Sequence, residues 1–153
     1  MVDDYQKGRT EMQPITREIQ VKADAATAYR AFATPDGIKA WWAKDSQVGT
    51  AVGQAVQLRF NKPDMTAVMK FNVTDVQPGQ RVEWTCTENT NPIWPGSRLA
   101  WEVEAAGGGS IVRFGHDGFS DGGPPYDMTV EGWQFFLDSL KAYLNGGSPT
   151  PSD

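Results

Sequence analysis

Alternating hydrophobic and polar residues recur along the chain and predict a series of half-buried β-strands. The first run, ITREIQVK, places Ile15, Ile19 and Val21 on one face and polar side chains on the other. Because each run has one apolar and one polar face, we expect a sheet that is covered on one side only. Further runs predict strands at residues 54–60, 65–76, 81–87, 97–105 and 110–116.

Short turns join most of these strands and predict an antiparallel meander. The turns are NKPD at 61–64, PG at 78–79 and GGG at 107–109. Val76 falls out of phase with the rest of its strand, which predicts a bulge or a strand end near Asp75. Residues 44–53 and 88–96 are expected to be loops, with Trp94 exposed in the second loop.

Residues 126–147 hold the one long amphipathic helix that the pattern predicts. We expect Asp127 to cap its N-terminus, and Pro124 and Pro125 to end whatever precedes it. Glycines 146 and 147 are expected to close its C-terminal end. The apolar residues recur at steps of three and four: Val130, Trp133, Leu137, Leu140 and Leu144.

Two short helices are predicted between strands 1 and 2, namely AATAYRAFA after Asp24 and PDGIKAWW after Thr34. Only the long helix can cover the apolar face of the sheet. We therefore predict an α+β fold in which a curved antiparallel six-stranded sheet wraps around the C-terminal helix. The expected organisation is a flexible N-terminal arm at 1–13, a single domain at 14–147 and a flexible C-terminal tail at 148–153.

Composition and charge exclude several classes of protein. The net charge of −5, without a Lys/Arg cluster, argues against nucleic-acid binding. No apolar run approaches the roughly 20 residues of a membrane span, and we see no signal peptide. The single cysteine, Cys86, allows no internal disulfide and suits a reducing cytosol, so we expect a cytoplasmic protein. With one histidine in the chain, we expect no metal site and no cofactor.

Four segments carry a resemblance to a known family. They are IQVKADAATAYRAFATPDGIKAWW from residue 19, VQPGQRVEWTC from 76, FGHDGF from 114 and EGWQFFLDSLKAYL from 131. In this order they resemble proteins homologous to the activator of the heat-shock-protein-90 ATPase. The element order also resembles the helix-grip fold of the START-like (SRPBCC) superfamily, which includes polyketide cyclases, Bet v 1 and lipid-transfer relatives. Chaperone activators of this family carry an extra N-terminal domain that we do not find here, so a chaperone contact is expected only as an alternative.

The resemblance implies a cavity between the sheet and the long helix, where a small hydrophobic or aromatic molecule binds. Typical pockets of this kind measure about 300–1,000 Å³. A filled aromatic core is the alternative, since aromatic rings fill space as readily as they line it. The side chains expected to line the cavity are Trp41, Trp42, Phe60, Met69, Phe71, Trp84, Trp101, Phe114, His116, Trp133, Phe136 and Leu140.

His116 is the one weak candidate for a catalytic residue, because histidine exchanges protons near neutral pH. Strand parity points it inward, and a structural or ligand-binding histidine is favoured over a general base. A cyclase- or hydrolase-type enzyme using His116 and a chaperone ATPase-activating module are thus alternatives to ligand binding. The Gly/Pro loop at 119–125 is the expected gate, and we expect a monomer or a homodimer.

Overall fold

A computed structural model describes residues 13–153, so the predicted N-terminal arm lies outside the described residues except for Gln13. Three helices and seven strands follow one another along this part of the chain. They are β1 Ile15–Val21, α1 Ala25–Ala33, α2 Pro35–Trp41, β2 Asp45–Val48, β3 Ala55–Asn61, β4 Thr66–Gln77, β5 Arg81–Asn89, β6 Arg98–Ala106, β7 Gly109–Asp117 and α3 Pro124–Leu144.

The strands form one antiparallel sheet in the order β1-β7-β6-β5-β4-β3-β2. The α+β helix-grip fold, with two short helices after the first strand and a long C-terminal helix, is confirmed. The predicted number of six strands was wrong by one, because β2 lies in the stretch expected to be a loop. Its four residues are too few to show a hydrophobic period, and pairing with β3 is what makes them a strand.

The caps of the short helices are as predicted, but the start of α3 is not. Asp24 accepts the Thr27 N–H at 2.8 Å, and the Thr34 hydroxyl accepts the Gly37 N–H at 3.1 Å. α3 begins at Pro124 rather than at Asp127 and has no side-chain cap. The N–H groups of the first helical residues have no helical carbonyl to donate to, so proline loses no hydrogen bond there. The two prolines therefore start the helix instead of ending the preceding loop.

Polar side chains on the outer face of the sheet form cross-strand ion pairs. Arg81 lies 2.7 Å from Asp75, 3.2 Å from Glu83 and 3.1 Å from Glu102. Arg113 similarly pairs with Glu18 and Glu104 from the neighbouring strands. The inner face is apolar and packs against the three helices, so the core lies between the sheet and α3.

Residues 148–153, for which we expected a flexible tail, make defined contacts with the domain. Ser152 forms a parallel bridge with Ala43 and donates its N–H to the Trp42 carbonyl at 2.8 Å. The Asp153 carbonyl accepts the Asn61 N–H at 2.8 Å. These bonds hold the end of the chain beside the C-terminal ends of α2 and β3.

Candidate functional site

Aromatic rings fill the centre of the space between the sheet and α3. Trp42 lies 6.2 Å from Trp84 and 5.0 Å from Trp133 between ring centroids, and Phe114 lies 4.4 Å from Trp133. Ten of the twelve side chains predicted to line a cavity are buried, and Met69 and Phe136 are only partly buried. Two surface grooves of the described residues lie elsewhere, one beside Arg81 and Glu102 and one at the β6–β7 turn. The centre of the predicted cavity is therefore occupied by side chains.

Trp101 is fully buried in this cluster, and its indole nitrogen has no hydrogen-bond partner among residues 13–153. Trp41, Trp84 and Trp133 surround it at steep ring angles of 77°, 70° and 75°. Ring faces are weak hydrogen-bond acceptors, so the aromatic surroundings offset only part of the cost of burying this N–H.

His116 points inward as predicted, and both of its ring nitrogens are engaged. Nδ1 lies 3.0 Å from Nε1 of Trp133, and Nε2 lies 2.8 Å from the Ser97 hydroxyl. An indole N–H can only donate, so Nδ1 is the acceptor and the proton resides on Nε2. Burial lowers the pKa of His116 to about 3, so the ring is neutral at physiological pH. Because its one lone pair is taken by Trp133, this geometry favours a structural role over that of a general base.

Trp94 is buried, and the prediction that it would be exposed was wrong. Its indole N–H donates to the Thr129 hydroxyl at 2.9 Å, and its ring stacks on Trp133 at 6.0 Å. The loop after β5 folds back onto the first turns of α3, which sequence periodicity cannot show. The interaction surface that a chaperone would need therefore does not include this ring.

The loop expected to act as a gate is attached at both ends. Phe119 is buried, with its ring 4.3 Å from His116 and 5.5 Å from Tyr126. Pro124 and Pro125 already belong to α3. Only residues 120–123 lie between these two attachments, so the loop has little freedom to swing away.

The inner face is incompletely covered along the first half of β4. Ala67 and Met69 share the inward face of β4 with the buried Phe71, but both are only partly buried, like Phe136. The backbone of α3 approaches β1 and the two short helices, but it does not come comparably close to β3 or β4 among the described residues. Phe136 spans the distance by packing on Phe60 at 5.8 Å.

Gly132 lies one turn before Phe136, on the same flank of α3. A Cβ atom placed there would meet no heavy atom of residues 13–153 within 4 Å, so there is free space beside the helix. Glycine in the interior of a helix costs about 1 kcal/mol relative to alanine, so this position is not explained by helix stability. We call Ala67, Met69, Gly132 and Phe136 the open edge.

A β-bulge brings a polar side chain to the open edge. Phe71 pairs with Cys86 and Lys70 with Glu88, so Thr87 is an extra residue in β5. The register then places Asn89 directly opposite Met69, and residues opposite each other in an antiparallel pair share a face. Asn89 was not predicted as a site residue, because it lies in a segment expected to be loop and the alternation of Val82, Trp84 and Cys86 would turn it outward. The second bulge, between Val73 and Asp75, is the predicted one.

The orientation of the Asn89 amide is determined by its neighbour. Its Oδ1 accepts the N–H of Asn91 at 2.7 Å, so the nitrogen points the other way. That nitrogen, Nδ2, is buried and has no partner in the described part of the chain. The side chain of Asn91 donates to the Pro125 carbonyl at 3.0 Å and to the Thr129 hydroxyl at 3.3 Å, which ties this turn to α3.

The geometry gives little support for a metal site or for a reactive thiol. Within residues 13–153, no three His, Cys, Asp or Glu side chains come together as a possible metal site. Burial raises the pKa of Cys86 to about 12, so its thiol stays protonated. The described helices include none that is long and apolar enough to cross a membrane.

Comparison with known proteins agrees with the observed fold. Residues 22–145 match the family described as Activator of Hsp90 ATPase homolog 1-like protein. The chain belongs to this family. The START-like resemblance of the sequence is thereby confirmed, and the fold of the Hsp90-activator-homologue family is in general that of a ligand-binding domain.

Solved structures of similar proteins share the whole domain. The Aha1 dimer of Colwellia psychrerythraea is 29% identical, with a TM-score of 0.72 over 89% of this chain and 98% of that chain. A protein of Chromobacterium violaceum is 19% identical, with a TM-score of 0.73 over 86% of this chain and 96% of that one, and shows the fold alone. No curated protein sequence matches the chain.

Proposed function

We propose that this protein binds a small hydrophobic or aromatic molecule at the open edge, with the ligand between β4 and α3. The observation that carries this proposal is the incomplete cover of Met69, Ala67 and Phe136 next to the free space at Gly132. These side chains face the core, yet the protein leaves them in partial contact with solvent. The proposed site is thus narrower than the cavity expected from the sequence, and it lies at the rim of the aromatic cluster rather than at its centre.

The chemistry of the open edge suits an apolar ligand. Burying apolar surface gains about 25 cal/mol per Å², so a flat two-ring molecule that removes 200 Å² from water gains about 5 kcal/mol. The cost of association reduces this gain, so we expect weak to moderate affinity from apolar contact alone. Met69 has an unbranched, polarizable side chain that adapts to ligands of different shape. Phe136 is only partly buried, so part of its ring is available for contact with a ligand.

The decisive experiment fills the free space. Gly132→Phe adds a ring at the open edge, and Gln134→Phe adds the same ring to an exposed position on the other side of α3. Binding of 2-acetylnaphthalene and 2-isopropylnaphthalene is measured by quenching of tryptophan fluorescence. We expect the wild type and Gln134→Phe to bind, and Gly132→Phe to bind at least tenfold more weakly.

Urea unfolding of the three proteins serves as the control for folding. Because phenylalanine is a better helix former than glycine, lost binding in a stable Gly132→Phe variant cannot be ascribed to unfolding. If Gly132→Phe binds like the wild type, the ligand does not lie at the open edge. If the wild type binds neither probe, the proposed function is wrong.

A chaperone ATPase-activating role is the second candidate, since the Colwellia Aha1 protein is 29% identical over most of the chain. The exposed apolar side chains of α3 offer a contact surface: Met128 is 68% exposed and Phe135 is 53% exposed, two turns apart on one stripe. Stimulation of Hsp90 ATPase by the wild type but not by Met128→Ser/Phe135→Ser would support this role. Equal rates with and without the protein would count against it.

Assembly and location are proposed on separate grounds. The Colwellia relative is a dimer, and we propose a monomer or a homodimer here, to be decided by light scattering. We also propose a cytoplasmic location, because the one cysteine is a buried free thiol that suits a reducing compartment.

A further inference from the structure

We propose that Asn89 is the polar anchor of the site, and that its ligands are hydrophobic or aromatic molecules carrying a carbonyl-type oxygen that accepts the Asn89 Nδ2 hydrogen bond. This inference rests on the proposed function and specifies the class of ligand. It makes one residue responsible for selecting among apolar molecules of equal size.

The bulge at Thr87 is the first reason. Without it, the Lys70–Glu88 register would continue the alternation of Cys86 and Trp84, and residue 89 would face solvent. With it, the outward Lys70 and Glu88 form an ion pair at 3.4 Å, and the next pair, Met69 and Asn89, faces inward. β-Bulges commonly re-aim a side chain beside a functional site. Here the side chain that is re-aimed is an amide, placed on an apolar face.

The unpartnered donor is the second reason. The Asn91 N–H can only donate, so it determines which end of the Asn89 amide is oxygen and leaves Nδ2 as the free end. Nδ2 is buried but finds no acceptor among the described residues. A buried donor without a partner costs about 1–3 kcal/mol, and a ligand oxygen would remove that cost. An apolar ligand of the same shape would leave Nδ2 without an acceptor, so the cost would remain.

The position of the amide is the third reason. Asn89 is the direct cross-strand neighbour of Met69, which brings their Cβ atoms within about 5.5 Å of each other. The turn that follows Asn89 is bonded to Thr129, and Gly132 lies between Thr129 and Phe136 along α3. The donor therefore lies on the same inward face as the apolar side chains of the open edge, and a ligand that displaces the partly buried Met69 or Phe136 side chain can meet both.

The experiment compares two probes of nearly equal shape that differ in one acceptor. In 2-acetylnaphthalene a carbonyl oxygen replaces a methyl group of 2-isopropylnaphthalene. Dissociation constants are measured by fluorescence quenching for the wild type, Asn89→Asp, Asn89→Leu and Asn72→Asp. Asn89→Asp keeps the acceptor for Asn91 but lacks the N–H, Asn89→Leu removes the amide without adding a charge, and Asn72→Asp makes the same change on the outer face of β4.

We expect the wild type and Asn72→Asp to prefer the acetyl probe by fivefold or more, as for one buried hydrogen bond. In both Asn89 variants the preference should disappear, mainly through weaker binding of the acetyl probe. The infrared carbonyl band of bound 2-acetylnaphthalene should lie at lower wavenumber in the wild type than in Asn89→Leu. The ratio of two constants measured on one variant does not depend on how much of that variant is folded.

Failure of this inference is distinguishable from failure of the proposed function. If the wild type binds both probes equally, or if the Asn89 variants keep the preference, Asn89 is not the anchor although the open edge binds apolar molecules. If the wild type binds neither probe, the proposed function fails, and the inference fails with it.

Discussion

Acid should destabilise this protein through His116, whose buried ring must stay neutral in the folded state. The ring is 1% exposed and lies against Trp94, Trp133 and Phe119, with the Ser97 hydroxyl as its only other polar contact among the described residues. No carboxylate among the described residues contacts it to stabilise the charged form. Burial therefore lowers the pKa to about 3, from an ordinary value near 6.5.

The sign and size of the effect follow from proton linkage. Above pH 6.5 the histidine is neutral in both states, and its environment contributes its full share of stability. Between pH 6.5 and about 3, the unfolded chain binds a proton that the folded protein does not, and the free energy of unfolding falls by about 1.4 kcal/mol per pH unit. From pH 7.5 to pH 5.0 the loss through His116 is thus about 2 kcal/mol.

The assay is urea unfolding of the wild type and of His116→Asn at pH 7.5 and pH 5.0. Asparagine keeps an acceptor near the position of Nδ1 for the Trp133 N–H, but it does not titrate. The variant is less stable at both pH values because it is smaller than histidine, so only the change with pH is compared. We expect the wild type to lose about 2 kcal/mol more than the variant. Equal losses in both proteins would show that the ring is not held neutral, and would refute the reasoning.

Three further predictions concern the same region. Gly132→Ala should raise the free energy of unfolding by about 1 kcal/mol and the Tm by about 2–4 °C, because its Cβ enters free space; a lower Tm in a thermal scan would contradict this. Trp133→Phe should lower the free energy of unfolding, measured in urea, by about 1–3 kcal/mol more than the loss of ring contacts, because Nδ1 of His116 loses its hydrogen-bond donor. An unchanged free energy of unfolding would mean that this bond contributes little. Cys86 should not react with Ellman's reagent at pH 8 in the folded protein while reacting fully in urea, because its pKa is raised to about 12; rapid labelling of the folded protein would disagree.

Much of the fold was predictable because its main signals are periodic. Alternation along residues 81–87 and 110–116 predicted strands whose inward faces are buried as expected, including Trp84 and His116. The steps of three and four in α3 predicted the helix that covers the sheet. Both signals arise from local backbone geometry, which turns side chains to one face at a constant interval.

The errors arose where the period was too short or was broken. β2 has four residues, and it became a strand only by pairing with β3. Trp94 has no periodic neighbours, and its burial depends on a loop that returns to Thr129. The extra residue at Thr87 reverses the alternation, so the inward position of Asn89 was missed.

The amino-acid sequence by itself determined the α+β class, the family and most of the residues that face the core. Only the tertiary structure decided that ten of the twelve expected site residues fill the interior, while Met69 and Phe136 remain at an edge. The reason is physical: hydrophobic patterning states which side chains leave water, but packing in three dimensions decides whether they meet each other or leave space. The buried Asn89 nitrogen was likewise decided by the tertiary structure. Only the surrounding groups determine whether a hydrogen-bond donor finds an acceptor.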